Sequence, residues 1–275
     1  MTADLPPRIA IYFDHPRWRD VAEQWSQQLG LPIAKKFSDP HDLHLAVTDA
    51  DDDYRLELRV VAADHPLRGG RGVVADWSQL DTQSGPGRSL KSPLCRAAGL
   101  KHGRRPTVCD ATAGLGEDTW LLAAAGCRVT ALERQPVVHA LLTDALRRAQ
   151  HFAPDVADRI TLPPCVDAAD WLTSLADPTR IIEPPPTARP FDVVMLDPMF
   201  PGHAKRKTAE RKPMRILRLL AGEDADADRL WPAAYAAAAR RVIVKRPAPA
   251  PPLAGQTPAV THAGKGLRFD VYPVS

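Results

Sequence analysis

Apolar and polar positions change rhythm along this chain, and the change divides it in two. Arg8-Ile9-Ala10-Ile11-Tyr12-Phe13 reads as a short strand, and Trp18 to Leu29 as a helix ended by Gly30. Leu43-His44-Leu45-Ala46-Val47 and Arg55-Leu56-Glu57-Leu58-Arg59-Val60-Val61 alternate with period two around the acidic tip Asp49 to Asp53. That pattern predicts a hairpin whose loop is longer than the tight two-residue type. Glycine-rich stretches follow from Leu67 to Gly72 and from Ser84 to Arg88. Residues 1–85 therefore read as a small α+β N-terminal domain.

From about residue 106 short apolar runs alternate with helical stretches. The strand-like runs are Thr107 to Asp110, Arg128 to Glu133, Ile160 to Leu162, Phe191 to Asp197 and Arg241 to Lys245, with a terminal strand at Leu267 to Tyr272. Helices are predicted at Asp118 to Ala125, Pro136 to His151, Ala168 to Ala176 and Leu230 to Ala239. Near-continuous apolar strands alternating with helices imply a parallel sheet covered on both faces, hence an α/β domain over 86–275.

Composition narrows the class. With 44% hydrophobic and 25% charged residues among 275, wholesale disorder is excluded. No run of ~18 apolar residues is long enough for a membrane span, and Met1 to Pro7 lacks the basic and apolar regions of a secretory leader. Cys95, Cys109, Cys127 and Cys165 are scattered without a CxxC pair, so neither a metal site nor a disulfide framework is expected. A cytoplasmic monomer, off the membrane, is the expectation.

The most informative segment is Val108-Cys109-Asp110-Ala111-Thr112-Ala113-Gly114-Leu115-Gly116-Glu117-Asp118. A strand, a small-residue turn and a helix start let backbone approach a ligand at the carboxyl edge of a parallel sheet. Glu133 closes the next strand, 23 residues after Asp110, where a carboxylate accepts hydrogen bonds from ribose hydroxyls. A dinucleotide turn wants a third glycine where Thr119 stands, and Glu117 with Asp118 would repel a pyrophosphate at the helix N-terminus. S-adenosylmethionine has no phosphate and carries a sulfonium and an ammonium, so these acids favour it over NAD. The plainer alternative is a β–α turn whose acids serve only the helix dipole. Arg134 is a candidate to stack on an adenine edge or pair with a carboxylate; a plain surface arginine is its alternative. After the third strand, Asp167 is a candidate acceptor for the adenine amino group, with the Val166 amide serving a ring nitrogen; capping the helix from Ala168 is its alternative role.

The fourth strand ends Met195-Leu196-Asp197-Pro198-Met199-Phe200-Pro201. Asp-Pro here resembles the (Asn/Asp)-Pro-Pro-(Tyr/Phe) motif of methyltransferases that modify exocyclic amines, with Met199 in place of the second proline. An aromatic amine attacks poorly because its lone pair is delocalised. Asp197 would accept its N–H, Pro198 would offer a free carbonyl beside it, and Phe200 would stack on the base. Gly202 to Leu220 carries seven Lys/Arg against one Glu, although the whole chain is only +3. The strip Lys205 to Arg218 is thus a candidate nucleic-acid contact, which Arg68, Arg71, Arg88, Lys91, Lys101, Arg104 and Arg105 extend.

Asp110 to Gly116, Gly126-Cys127-Arg128-Val129, Leu132-Glu133-Arg134, Leu196 to Pro201, Met214-Arg215 and Val244-Lys245-Arg246-Pro247 together resemble the small-subunit ribosomal RNA methyltransferase J family over roughly residues 85–275. The resemblance implies a Rossmann-like class I methyltransferase fold. It also implies transfer from S-adenosylmethionine to the N2 amine of a guanine in 16S ribosomal RNA, with RNA or the 30S particle as partner. It assigns cofactor contacts to Gly114, Glu117, Asp118, Glu133, Arg134, Val166, Asp167 and Asp197, where Glu117 replaces the family's usual arginine. The catalytic set is Asp197, Pro198 and Phe200. The family's basic glycine-rich stretch is partly kept as Gly85-Pro86-Gly87-Arg88. Three rivals remain on the motifs alone: an adenine-N6 methyltransferase of the same fold, a nicotinamide-dependent oxidoreductase and a non-catalytic RNA-binding module.

Overall fold

The computed structural model describes residues 6–80, 90–175, 190–198, 212–221 and 227–274. Contacts gather them into two compact units. The first holds the described residues of Met1–Ala75, Gln135–Arg148 and Pro201–Glu223; the second holds those of Asp76–Arg134, Ala149–Phe200 and Asp224–Ser275. The division expected at residue 85 falls outside the described residues, and two later segments of the chain belong to the N-terminal unit.

The first unit is built on strands β1 (Ile9–Phe13), β2 (Leu43–Ala50) and β3 (Asp53–Val60), in the order β1-β2-β3. β1 runs parallel to β2 because helix α1 (Arg19–Leu29) carries the chain back between them. Gly30 ends α1 in the left-handed region, at φ 64°, as its position after the last apolar residue predicts. β2 and β3 form the expected hairpin, but its loop is tighter than expected. Ala50 pairs with Asp53, so only two residues turn, and Asp51 takes φ 50°. Asp tolerates that conformation, which let the strands extend into the acidic tip. A later helical segment of the same unit supplies Asp144, 1% exposed on its side chain. Its Oδ2 accepts the Leu56 amide at 3.0 Å, while Arg147 and Arg148 hold the carboxylate at 3.0 and 2.9 Å.

The second unit opens with helix α2 (Pro93–Ala98), followed by strand β4 (Thr107–Asp110), helix α3 (Glu117–Ala124) and strand β5 (Arg128–Ala131). Helix α4 (Pro136–Phe152) crosses from the first unit into the second. Then come α5 (Pro154–Ala157), β6 (Ile160–Thr161), α6 (Ala168–Ser174) and β7 (Phe191–Leu196). Helix α7 (Lys212–Ala221) belongs to the first unit, and α8 (Ala227–Ala237), β8 (Ala238–Pro247), β9 (Val260–Ala263) and β10 (Leu267–Pro273) complete the second. The sheet order is β6-β5-β4-β7-β8-β10-β9. β6 to β8 run parallel, as the apolar runs predict, whereas β10 lies antiparallel between β8 and β9. α6 and α8 cover one face through a core that includes Leu172, Phe191, Val194, Ala234 and Val242. From β4 the chain moves outward through β5 to β6, then returns to the other side of β4 as β7. The strand order therefore reverses between β4 and β7, which opens a crevice at their carboxyl ends.

Candidate active site

Two strand ends form the crevice. Asp110 of β4 pairs with Met195 of β7, and the Ala111 amide donates to the Met195 carbonyl at 3.0 Å. Beyond the strands, the Asp197 amide donates to Thr112 Oγ1 at 2.6 Å. The glycine turn after β4 and the Asp-Pro step after β7 are thus tied side by side. Gly114 and Gly116 take φ 56° and 77°, in the left-handed region that glycine enters at no steric cost. Among the described residues, a Cβ at Gly114 would meet nothing within 4 Å, so they leave the space above the turn open. The Gly114 amide donates to Glu133 Oε2 at 3.0 Å, which brings a carboxylate from the loop after β5 to the same turn; the strand itself ends at Ala131.

Charge is concentrated there. Asp110 is 2% exposed; it accepts from Thr119 Oγ1 at 2.6 Å and from the Thr112 amide at 3.3 Å. Burial pushes its carboxyl up to about 7, opposed by the Thr119 hydroxyl and reinforced by Asp118. Lys245 of β8 bridges two further carboxylates, with Nζ 2.7 Å from Asp118 Oδ2 and 3.1 Å from Asp197 Oδ2. Burial works against the ammonium, but Asp197 and Asp118 outweigh it and hold the lysine well above its ordinary range. At Asp197 burial raises the carboxyl, Lys245 pulls it back and Asp118 pushes it up.

Several expected site residues meet here and others do not. Gly114, Asp118, Glu133 and Asp197 converge on the crevice through the contacts above. Glu117 is exposed in the first turn of α3. Arg134 is exposed, with Nη1 3.9 Å from Asp167 Oδ2. Asp167 caps α6: Oδ1 accepts from the Ala169 and Asp170 amides at 2.9 and 3.1 Å, and Oδ2 accepts from Arg229 at 2.8 Å. The reading of the Val166 amide needs correction. It donates to the Glu133 carbonyl at 3.2 Å, so it is spent joining the two loops, while the side chain packs on the core. Pro198 is buried beside Asp197. Phe200, Met199, Gly85 to Arg88 and Lys205 to Arg211 lie outside the described residues, and Lys212 to Arg218 form the start of α7.

Sequence reasoning singled out neither Lys245 nor Thr112 and Thr119 for a role. For Lys245 a signal existed: one charge closes the apolar run Val242-Ile243-Val244 at the strand end that faces the crevice. The donor set suits a cationic, ribose-bearing cofactor. An open glycine turn lies beside acids at Asp118 and Glu133, and among the described residues the Lys245 ammonium is matched by two carboxylates.

Comparison with known proteins accords with this geometry. A family model described as "Putative SAM-dependent methyltransferase" matches residues 25–274. A protein of Thioalkalivibrio sulfidiphilus named ribosomal RNA small subunit methyltransferase J is 41% identical over 96% of this chain and 97% of its own length. The chain belongs to this methyltransferase J family. A Pseudomonas paraeruginosa protein of the same name is 37% identical, covering 99% of this chain and 97% of its own. A crystal structure of a SAM-dependent methyltransferase from Neisseria gonorrhoeae, 30% identical, superposes with a TM-score of 0.63 over 96% of this chain and 95% of that one. The fold is therefore the Rossmann-like class I methyltransferase fold, and the cofactor is S-adenosylmethionine rather than a nicotinamide. Among the described residues, no helix is long and apolar enough to cross a membrane.

Proposed function

We propose that this member of the family methylates the exocyclic N2 amine of a guanine in small-subunit ribosomal RNA, with Asp197 as the group that meets the amine. One observation carries the reading: an Asp-Pro step anchored by Thr112 beside an open, acid-lined glycine turn. The name shared by the relatives supports RNA as substrate, and the resemblance of the Asp-Pro-Met-Phe string supports guanine N2 over adenine N6. Glu133 takes the cofactor's ribose, Asp167 and Arg134 its adenine end, and the Gly114 turn with Glu117 and Asp118 its methionine end.

S-adenosylmethionine supplies a methyl group on a sulfonium, already activated for transfer. The protein's task is alignment of the acceptor. Asp197 accepts an N–H of the amine, which draws the nitrogen lone pair out of conjugation. Pro198, with φ fixed by its ring, offers its carbonyl to the second N–H, and Phe200 stacks on the base. When the nitrogen gains its methyl, the proton it sheds leaves through Asp197 to water. Lys245 opposes the burial that raises the Asp197 carboxyl, which favours the charged form for that task.

Asp197→Asn tests the assignment. Transfer of labelled methyl to undermodified small subunits should fall by about 10²–10⁴-fold, the usual contribution of a positioned acid–base group. Affinity for S-adenosylhomocysteine should stay within a few-fold. A variant that turns over at the parental rate would remove Asp197 from the mechanism.

A further inference from the structure

The first unit has a cationic recess of its own. It is lined by Phe37, Arg59, Val60, Arg68, the glycines 69, 70 and 72, and Lys212, and encloses about 90 Å³. Small-molecule pockets run to about 300–1,000 Å³, so this one suits a phosphate-sized group and not a second cofactor.

Its charges are not equivalent. Arg59 is spent inside the unit, 2.8 Å from Asp14 and 3.3 Å from Glu57. Arg68 donates to the Ala63 carbonyl at 3.3 Å, and Lys212 donates to the Gly69 carbonyl. Among the described residues, the polar partners of Arg68 and Lys212 are carbonyl oxygens, so two cations face the recess without a carboxylate. Lys35, Lys36 and Arg71 add exposed charge nearby in sequence. At the rim Phe37 is 42% exposed, its ring held edge-on by Tyr12 and His44 with centroids at 5.7 and 5.6 Å.

The wall is preorganised. The Gly72 amide donates to Glu57 Oε1 at 2.7 Å, and Leu58 and Val73 exchange both main-chain bonds at 2.9 Å. A Cβ on Gly72 would fall 2.5 Å from the Leu58 carbonyl oxygen, so the chain must pass here as glycine.

We infer that this recess anchors a single-stranded segment of the RNA substrate, one backbone phosphate lying against Arg68 and Lys212 and one base stacking on the exposed face of Phe37. Unneutralised cations beside a rigid exposed aromatic are the recurring means of holding single strands without reading their sequence. The inference rests on the RNA reading above and locates a contact outside the methyl-transfer crevice.

The test is fluorescence titration of a labelled single-stranded RNA 12-mer across a salt series, together with methyl transfer to undermodified small subunits. R68Q/K212Q should weaken binding about tenfold and flatten the slope of log K against log salt by ~0.7, the value of one phosphate contact on a single strand. Phe37→Ala should weaken binding about tenfold with the slope unchanged, as loss of a stacked base does. Variants that bind with parental affinity and slope, while the parent methylates ribosomal RNA, would overturn the recess and leave the proposed function standing. A parent that binds RNA through these residues yet transfers no methyl to it would sustain the recess and overturn the proposed function.

Discussion

At Lys245 a single ammonium faces two carboxylates, 2.7 Å from Asp118 and 3.1 Å from Asp197. Removing the ammonium leaves two acids that cannot both ionise cheaply. In Lys245→Met the Asp197 carboxyl should therefore rise further, and the acid limb of the kcat/KM profile should move to higher pH. Lys245→Arg should restore it. A Met variant with lower activity but an unmoved acid limb would mean that the lysine only packs. Glu133 makes the complementary case: its carboxylate holds the Gly114 amide, so Glu133→Ala should raise the Kd for S-adenosylhomocysteine by about tenfold in calorimetry. Unchanged affinity would take Glu133 off the ribose. Asp110, Gly114 and Asp197 were legible in the sequence because local motifs carry them. Lys245 was not assigned a role because its partners lie 48 and 127 residues away, and only the strand order brings them together.

Among the elements, β2 carries an acid-sensitive group. His44 is 0% exposed, stacks on Tyr12 with centroids at 5.3 Å, and among the described residues neither ring nitrogen has a hydrogen-bond partner. Burial, aided by His41, lowers its pKa to about 4. The unfolded chain binds this proton below pH ~6.5 while the folded chain refuses it down to about 4. Its contribution is thus fully present above the unfolded value and is lost as pH falls through that window. His44→Phe should remove about 2 kcal/mol of the stability difference between pH 7 and pH 4.5 in urea unfolding. An unchanged pH dependence would place the acid sensitivity elsewhere. Strands and helices of this kind were largely legible, because period-two and period-3.6 patterns are local. The hairpin loop was read too long because the tip is acidic and polar, yet Asp51 tolerates positive φ and the ladder runs on to Ala50 and Asp53.

For the whole molecule, the sequence order of domains and the spatial order of units diverge. Asp144 binds the Leu56 amide across 88 residues of sequence, and Lys212 reaches the Gly69 carbonyl across 143. No periodicity could announce either contact, since each depends on how distant segments return to the N-terminal sheet. The methyltransferase unit, by contrast, was foreseen in outline from the alternation of apolar strands with helices, though the antiparallel β10 between β8 and β9 was not. On the two proposals above, recess and crevice would make chemically distinct contacts with one substrate, a strand anchor and an amine acceptor. Their common premise is that the methyl group is delivered to a guanine of small-subunit RNA. The most direct measurement is nucleoside analysis of 16S ribosomal RNA after small subunits lacking the modification have been incubated with this protein and methyl-labelled S-adenosylmethionine. The account predicts label in N2-methylguanosine at a single position. Label in N6-methyladenosine, or unlabelled RNA from a protein that binds S-adenosylhomocysteine, would contradict it.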